Sequence, residues 1–255
     1  MKAVTTKDLK LYEEKPDEDD FDGGPHLPLL DHLEEFRTKI IISFFALCIA
    51  ASIGFFYSKD VISLLTQIAP SGTAFLQIRP GEFFFTSMKV SFYIGIALAS
   101  PVIIWQLGSF ILPGLNIKEK KISIPILAGA PILFSLGSLF AYFFVARSML
   151  NFLFGFGKDI IQTSISIESF VSFSLMVMAI CGVAFLLPIV IFALANVGII
   201  NSNMLIEKWR YAILLALILG ALFTPTPDPF NMGLVSGILI VLYFISFWIL
   251  KMLRM

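Results

Sequence analysis

VSFYIGIALASPVIIWQLGSFILPGLNI, residues 90–117, runs twenty-eight residues without a charged side chain. A helix of about 20 apolar residues crosses a hydrocarbon core about 30 Å thick, so this run holds a membrane span. Pro113 and Gly114 end that helix and open a short loop rich in lysine. Uncharged runs also occupy residues 40–58, 122–146, 169–206, 211–227 and 229–250. The run 169–206 is longer, but its end, NVGIINSN, is polar and turn-forming and reads as loop. Residues 148–157 are too few to cross and read as an interfacial segment. The fold class is therefore an all-α membrane protein of six transmembrane helices. Helices five and six read as short. Residues 211–224 give about 21 Å of helix at 1.5 Å per residue, a mismatch met by snorkelling of Arg210 and Lys251, by a start further back into IEKW, or by a bilayer thinned on this side of the protein.

Composition agrees. The 255 residues are 58% hydrophobic and 14% charged, with a mean hydropathy of +0.90. A soluble domain carries about 25% charged residues. The formal net charge is zero, which argues against a nucleic-acid partner. Cys48 and Cys181 both fall inside apolar runs and read as buried thiols, not as a disulfide or metal pair. With six spans the termini share one side. Placing them in the cytoplasm puts thirteen of the eighteen lysines and arginines inside, which sets an N-in, C-in topology.

Residues 1–39 hold eleven acids and six bases, the wrong sign for a transit peptide or signal sequence. Residues 1–27 read as a disordered acidic cytoplasmic tail, and the six-span domain occupies 28–255. LPLLDHLEEFRTK, residues 27–39, lies at the cytoplasmic face. Pro28 starts a helix whose apolar stripe is Leu29, Leu33, Phe36 and Ile40. Asp31 and Glu34 are spaced as a capping pair, while Glu35 and Arg37 sit off the stripe.

On the other side, KDVISLLTQIAPSG reads as an amphipathic turn or two with Val61, Leu64, Leu65 and Ile68 facing lipid. TAFLQIRPGE then runs extended. A second sizeable loop, residues 147–168, includes TSISIES, and the two loops together can cap one face. TPTPDPFN forces a tight non-helical turn between spans five and six.

Much chemistry has no residues to carry it. Both histidines, His26 and His32, precede the first span, and no Asp or Glu lies in any of the six runs. An intramembrane protease needs a buried Ser/His pair, an aspartate pair or a metal motif. An ion-coupled transporter usually places an ionisable group at mid-membrane. No GxxxxGK[ST] loop is present to handle ATP. Neither cofactor, metal nor catalysis is expected.

HLEEFR, residues 32–37, resembles the N-terminal signature of the TatC family, the polytopic receptor subunit of the twin-arginine translocase. The likeness continues through FFFTSMKVSFYIGIALASPVIIWQLGSFILPGLNIKE, where Lys89, Pro101, Gln106 and Phe110 fall at the family's spacing. Pro113, Gly114, Leu115 and Glu119 follow in register. FAYF at residues 140–143 and LFTPTPDPFN with Asp228 extend it. The resemblance implies a glove-shaped bundle, in a bacterial cytoplasmic or thylakoid membrane, that binds twin-arginine signal peptides and passes folded proteins across. It also implies TatA- and TatB-type single-span partners and further TatC copies within the lipid bilayer.

The family's signal-recognition residues fall on Glu35 and Glu119. Guanidinium pairs with carboxylate through a two-pronged, geometrically selective contact, and a lysine supplies the charge without the fork. His32 and Arg37 accompany Glu35 in the signature, with Leu29 just before it, and Arg37 holds the carboxylates in place. Lys118, Lys120 and Lys121 flank Glu119 and read as topology determinants. Lys89, Gln106, Phe110, Pro113 and Asp228 are expected in structural or partner contacts: Lys89 snorkelling, and Gln106, the most buried-looking polar side chain of span two, bonding to another helix. Two positions depart from the family. Leu186 in FLLP stands where many members carry Glu or Gln, which puts a mid-membrane partner site in doubt, and Arg147 stands where proline is common. The rival reading, a small-molecule secondary transporter, predicts an inverted repeat that the sequence does not display.

Overall fold

The computed structural model describes residues 29–70, 72–111, 117–155, 164–196, 198–224 and 228–252. The tail expected over 1–27 lies outside them. Backbone contacts divide the chain after Arg37. Residues 29–37 are the opening turns of helix α1, Leu29–Phe56. The second unit runs from Thr38 onward.

The helices after α1 are α2 (Ser58–Thr66), α3 (Glu82–Ile111), α4 (Ile117–Phe140), α5 (Arg147–Gly155), α6 (Ile167–Ala184), α7 (Leu187–Asn196), α8 (Ser202–Glu207), α9 (Trp209–Phe223) and α10 (Pro229–Met252). Among the described residues, five stretches are long and apolar enough to cross a membrane: Leu33–Phe56, Glu82–Phe110, Leu127–Gly155, Ile167–Asn196 and Pro229–Met252. Each matches one uncharged run, and the fifth run gives the shorter apolar helix α9. At 15 residues, α9 spans about 22 Å, below the usual hydrocarbon thickness. The last helix was expected to be short as well, yet α10 has 24 residues, about 36 Å.

Three expectations change. The described part of the stretch read as interfacial, residues 148–155, is not a separate piece. A wide π-helical segment, Ala141–Ala146, joins α4 to α5 without a break, and Met149 and Leu150 are buried in the core. Of the residues assigned to lipid on α2 and just past its end, Leu65 is 1% and Ile68 6% exposed, and Val61 packs against the same core; only Leu64 faces out. Their period matches a helix with one buried face, and that face turns to protein. Cys48 is exposed on α1, while Cys181 is buried.

Helix pairs meet through small residues. A Cβ on Gly95 of α3 would lie 2.9 Å from the backbone of Ala51 of α1, and Ser91 Oγ donates to Ala51 O at 2.5 Å. Gly137 of α4 packs on the Cys181 carbonyl and Phe185, and Gly182 of α6 packs on Phe134 and Ser138. Lipid tails are as apolar as leucine, so close backbone approach and interhelical hydrogen bonds do the work of association. Tyr93 donates to Ser138 Oγ at 2.8 Å, and Ser138 donates to Met178 O at 3.3 Å, linking α3, α4 and α6. Tyr142, on the π-helical segment, donates to Leu64 O of α2 at 3.0 Å.

The two long loops do form a cap. TAFLQIRPGE gives strand β1, Ala74–Leu76, and TSISIES gives strand β2, Ser164–Ser166. They pair in parallel, Phe75 opposite Ile165, and the Phe75 ring meets the buried Phe170 ring edge-on at 5.0 Å.

Candidate functional site

The signature HLEEFR is helical, since residues 29–37 all belong to α1. Helical geometry sorts its members. His32 and Glu35 are three residues apart and share a face, whereas Glu35 and Arg37, two apart, do not face each other. Arg37 is three residues from Glu34 and shares a face with it. Glu119 is the third residue of α4, in the first turn, where the helix dipole favours a carboxylate. The side chains of Leu29, His32 and Glu119, and all of Pro113, lie outside the described residues.

The other candidates take structural positions. Lys89 does not simply snorkel. Its Nζ lies 2.6 Å from Glu168 Oε1 and 3.1 Å from Ser172 Oγ, tying α3 to α6. Both partners are partly exposed, so the pair contributes about 0–1 kcal/mol. Gln106 is half-buried and accepts only at its backbone, from Ser109 Oγ at 2.9 Å. Four of the buried polar side chains of span two lie near its start, Glu82, Thr86, Ser87 and Ser91, and Ser100 is buried further along. Phe110 sits in the last turn of α3 with Lys39 Nζ 5.9 Å from its ring centroid, a cation–π contact. Asp228 caps α10: Oδ1 accepts from Asn231 N at 2.7 Å and Oδ2 from Asn231 Nδ2 at 2.8 Å, with Pro229 first in the helix. Leu186 lies in the two-residue break between α6 and α7, two residues before Pro188.

Sequence reasoning passed over Glu82. Its side chain, 2% exposed, gathers four donors from two loops. Oε2 accepts from Ile78 N at 2.8 Å and Arg79 N at 3.0 Å. Oε1 accepts from the Ser166 hydroxyl and from Glu168 N at 3.2 Å. A buried charge persists only when it is hydrogen-bonded on this scale. A local signal was available: in RPGE, Gly81 takes φ +77°, which favours glycine, and an acid follows at the first turn of a long helix.

Spanning-length helices joined by short amphipathic helices and a two-stranded cap make this an all-α, multi-pass membrane protein. Residues 31–237 match the family of the Sec-independent protein translocase protein (TatC), and the chain belongs to that family. It is 37% identical over 227 residues to the TatC protein of Synechocystis, covering 89% of each chain. The chloroplastic TATC of rice is 37% identical over 227 residues, 89% of this chain and 63% of that one. An uncharacterised tatC-like protein of Porphyra purpurea, ycf43, is 37% identical over 228 residues, covering 89% of each. A crystal structure of the twin-arginine translocase receptor TatC in DDM superposes with a TM-score of 0.76 at 35% identity, covering 86% of this chain and 99% of that one. Such relatives place the chain in a bacterial or thylakoid membrane, as a component of the Sec-independent translocase.

Proposed function

We propose that the chain is the non-enzymatic receptor subunit of a twin-arginine translocase, with Glu35 and Glu119 gripping the two arginines of a signal peptide. The observation that carries this reading is the helical signature HLEEFR inside the matched family region, with Glu35 on the face of α1 that His32 shares. Glu119, in the first turn of α4, supplies the second carboxylate. Two charge-assisted contacts of about 1.5–3 kcal/mol each, less where water screens them, select among signals without locking them in. Leu29, His32 and Arg37 complete the contact surface. TatA- and TatB-type single-span proteins and further copies of the chain assemble with it, and folded cargo crosses at the assembly.

The test is photo-crosslinking of a twin-arginine signal peptide to the full chain in native membranes. Glu35→Ala and Glu119→Ala each reduce the adduct about tenfold, the equivalent of roughly 1.4 kcal/mol, and a twin-lysine peptide behaves like the double variant. Membrane insertion is unchanged. Equal crosslinking by wild type and both variants overturns the site, and substrate-dependent small-molecule flux from this chain alone in liposomes favours the transporter reading.

A further inference from the structure

At the end of the bundle where α1 turns into α2, the structure leaves a cleft of about 370 Å³. Its walls are Phe55 and Phe56 from the end of α1 and Phe83 and Phe84 from the start of α3, with Ser58 and Ser87 between them and Lys59 also lining it. Phe55 and Phe84 meet edge-on at 6.1 Å. The aromatic walls remain open to the outside: Phe56 is 82% and Phe84 55% exposed. Ser58 and Ser87 are buried and have already spent their hydroxyl hydrogens, on Phe55 O at 2.7 Å and Phe83 O at 2.9 Å. Thus the floor has no spare hydroxyl proton to offer, and the body of any occupant is apolar. Lys59 is exposed, and among the described residues no acid lines the cleft; Asp60, the next residue, is not among the lining side chains.

We infer that this cleft is a site for one anionic glycerophospholipid, an acyl chain lying between the phenylalanines and the headgroup phosphate resting on Lys59. The volume falls in the range of small-molecule sites, about 300–1,000 Å³, and is too small to seat a helix about 10 Å across. A cation beside an apolar slot is complementary to an amphiphile with a negative head, and lysine stems lie along apolar surface while the ammonium stays at the polar level. Phe55 and Phe56 end one span-length apolar stretch and Phe83 and Phe84 begin another, so the cleft lies at the ends of two such stretches.

The full chain is reconstituted in phosphatidylcholine vesicles containing a photoreactive phosphatidylglycerol, and the labelled peptides are mapped by mass spectrometry. Label concentrates on residues 55–59 and 83–87, and unlabelled phosphatidylglycerol displaces it where phosphatidylcholine does not. Lys59→Glu lowers that labelling at least about fivefold, the effect expected for one lysine at an anionic surface. Ser87→Phe, which fills the cleft, abolishes it, and Lys251→Glu at the far end of α10 leaves it unchanged. Uniform labelling along the lipid-facing side of α1, equal displacement by both lipids, or full labelling of a folded Lys59→Glu variant overturns the assignment.

Discussion

Glu82, at the head of α3, accepts the hydroxyl hydrogen of Ser166, 84 residues further along the chain. Ser166 is at once the last residue of β2 and the cap of α6, its Oγ accepting from Ser169 N at 3.3 Å. One carboxylate therefore fastens both loops and the starts of two spanning helices. Glu82→Ala is expected to accelerate amide exchange across residues 74–79 and 164–168, leaving the middle of α10 unchanged. Ser166→Ala, which removes one of four donors, has the same effect on a smaller scale. Hydrogen exchange of the protein in lipid nanodiscs reads both, and protection unchanged in Glu82→Ala would show that β1 and β2 hold the cap unaided.

Gly95 sits at a close approach of α1 and α3. A valine there forces its Cβ to within 2.9 Å of Ala51 backbone atoms, which must move. Overpacking of this kind costs about 1–3 kcal/mol, so Gly95→Val should lower the thermal midpoint of the detergent-solubilised protein. Gly129→Ala is the control. Nothing lies within 4 Å of the added methyl, and alanine suits a helix better than glycine by about 0.5–1 kcal/mol, so stability holds or rises slightly.

Asp228 provides a separation of roles. As the cap of α10 it is worth about 0.5–2 kcal/mol, and Asp228→Ala is expected to lose that amount while Asp228→Asn keeps most of it. Denaturant unfolding of the isolated protein measures both. An Asp228→Ala protein as stable as wild type would mean that the side chain serves a partner and not the helix.

The spans were legible because a charge is so costly in hydrocarbon that its absence marks the boundaries. The uncharged runs foretold every long helix, and the turn residues of TPTPDPFN foretold the stop between α9 and α10. Leu65 and Met149 were misread for a shared reason. Hydropathy says that a side chain avoids water, but it does not distinguish lipid from protein as the alternative. Leu65 is as greasy as Leu64, and only the fold of the cap decides which of them meets Phe170 and its neighbours. RPGE marks an acid at the start of a helix, but not the donors that Glu82 collects from Ser166 and Glu168 more than eighty residues on. Glu35 and Glu119 stood out only through their place in a motif; as local chemistry, they are two acids in charged stretches.

Between Phe140 and Arg147 the third spanning helix is wound one residue looser than its flanks, each amide reaching five residues back. That slack is a store of length. Elsewhere in a helix, removing one residue swings everything beyond it by about 100°, enough to turn Met149 and Leu150 out toward lipid. Removed from residues 141–146, it would merely tighten the coil to ordinary pitch, and the heavy apolar side of α5 would keep its bearing. The helix thus carries its own tolerance for a shortened gene.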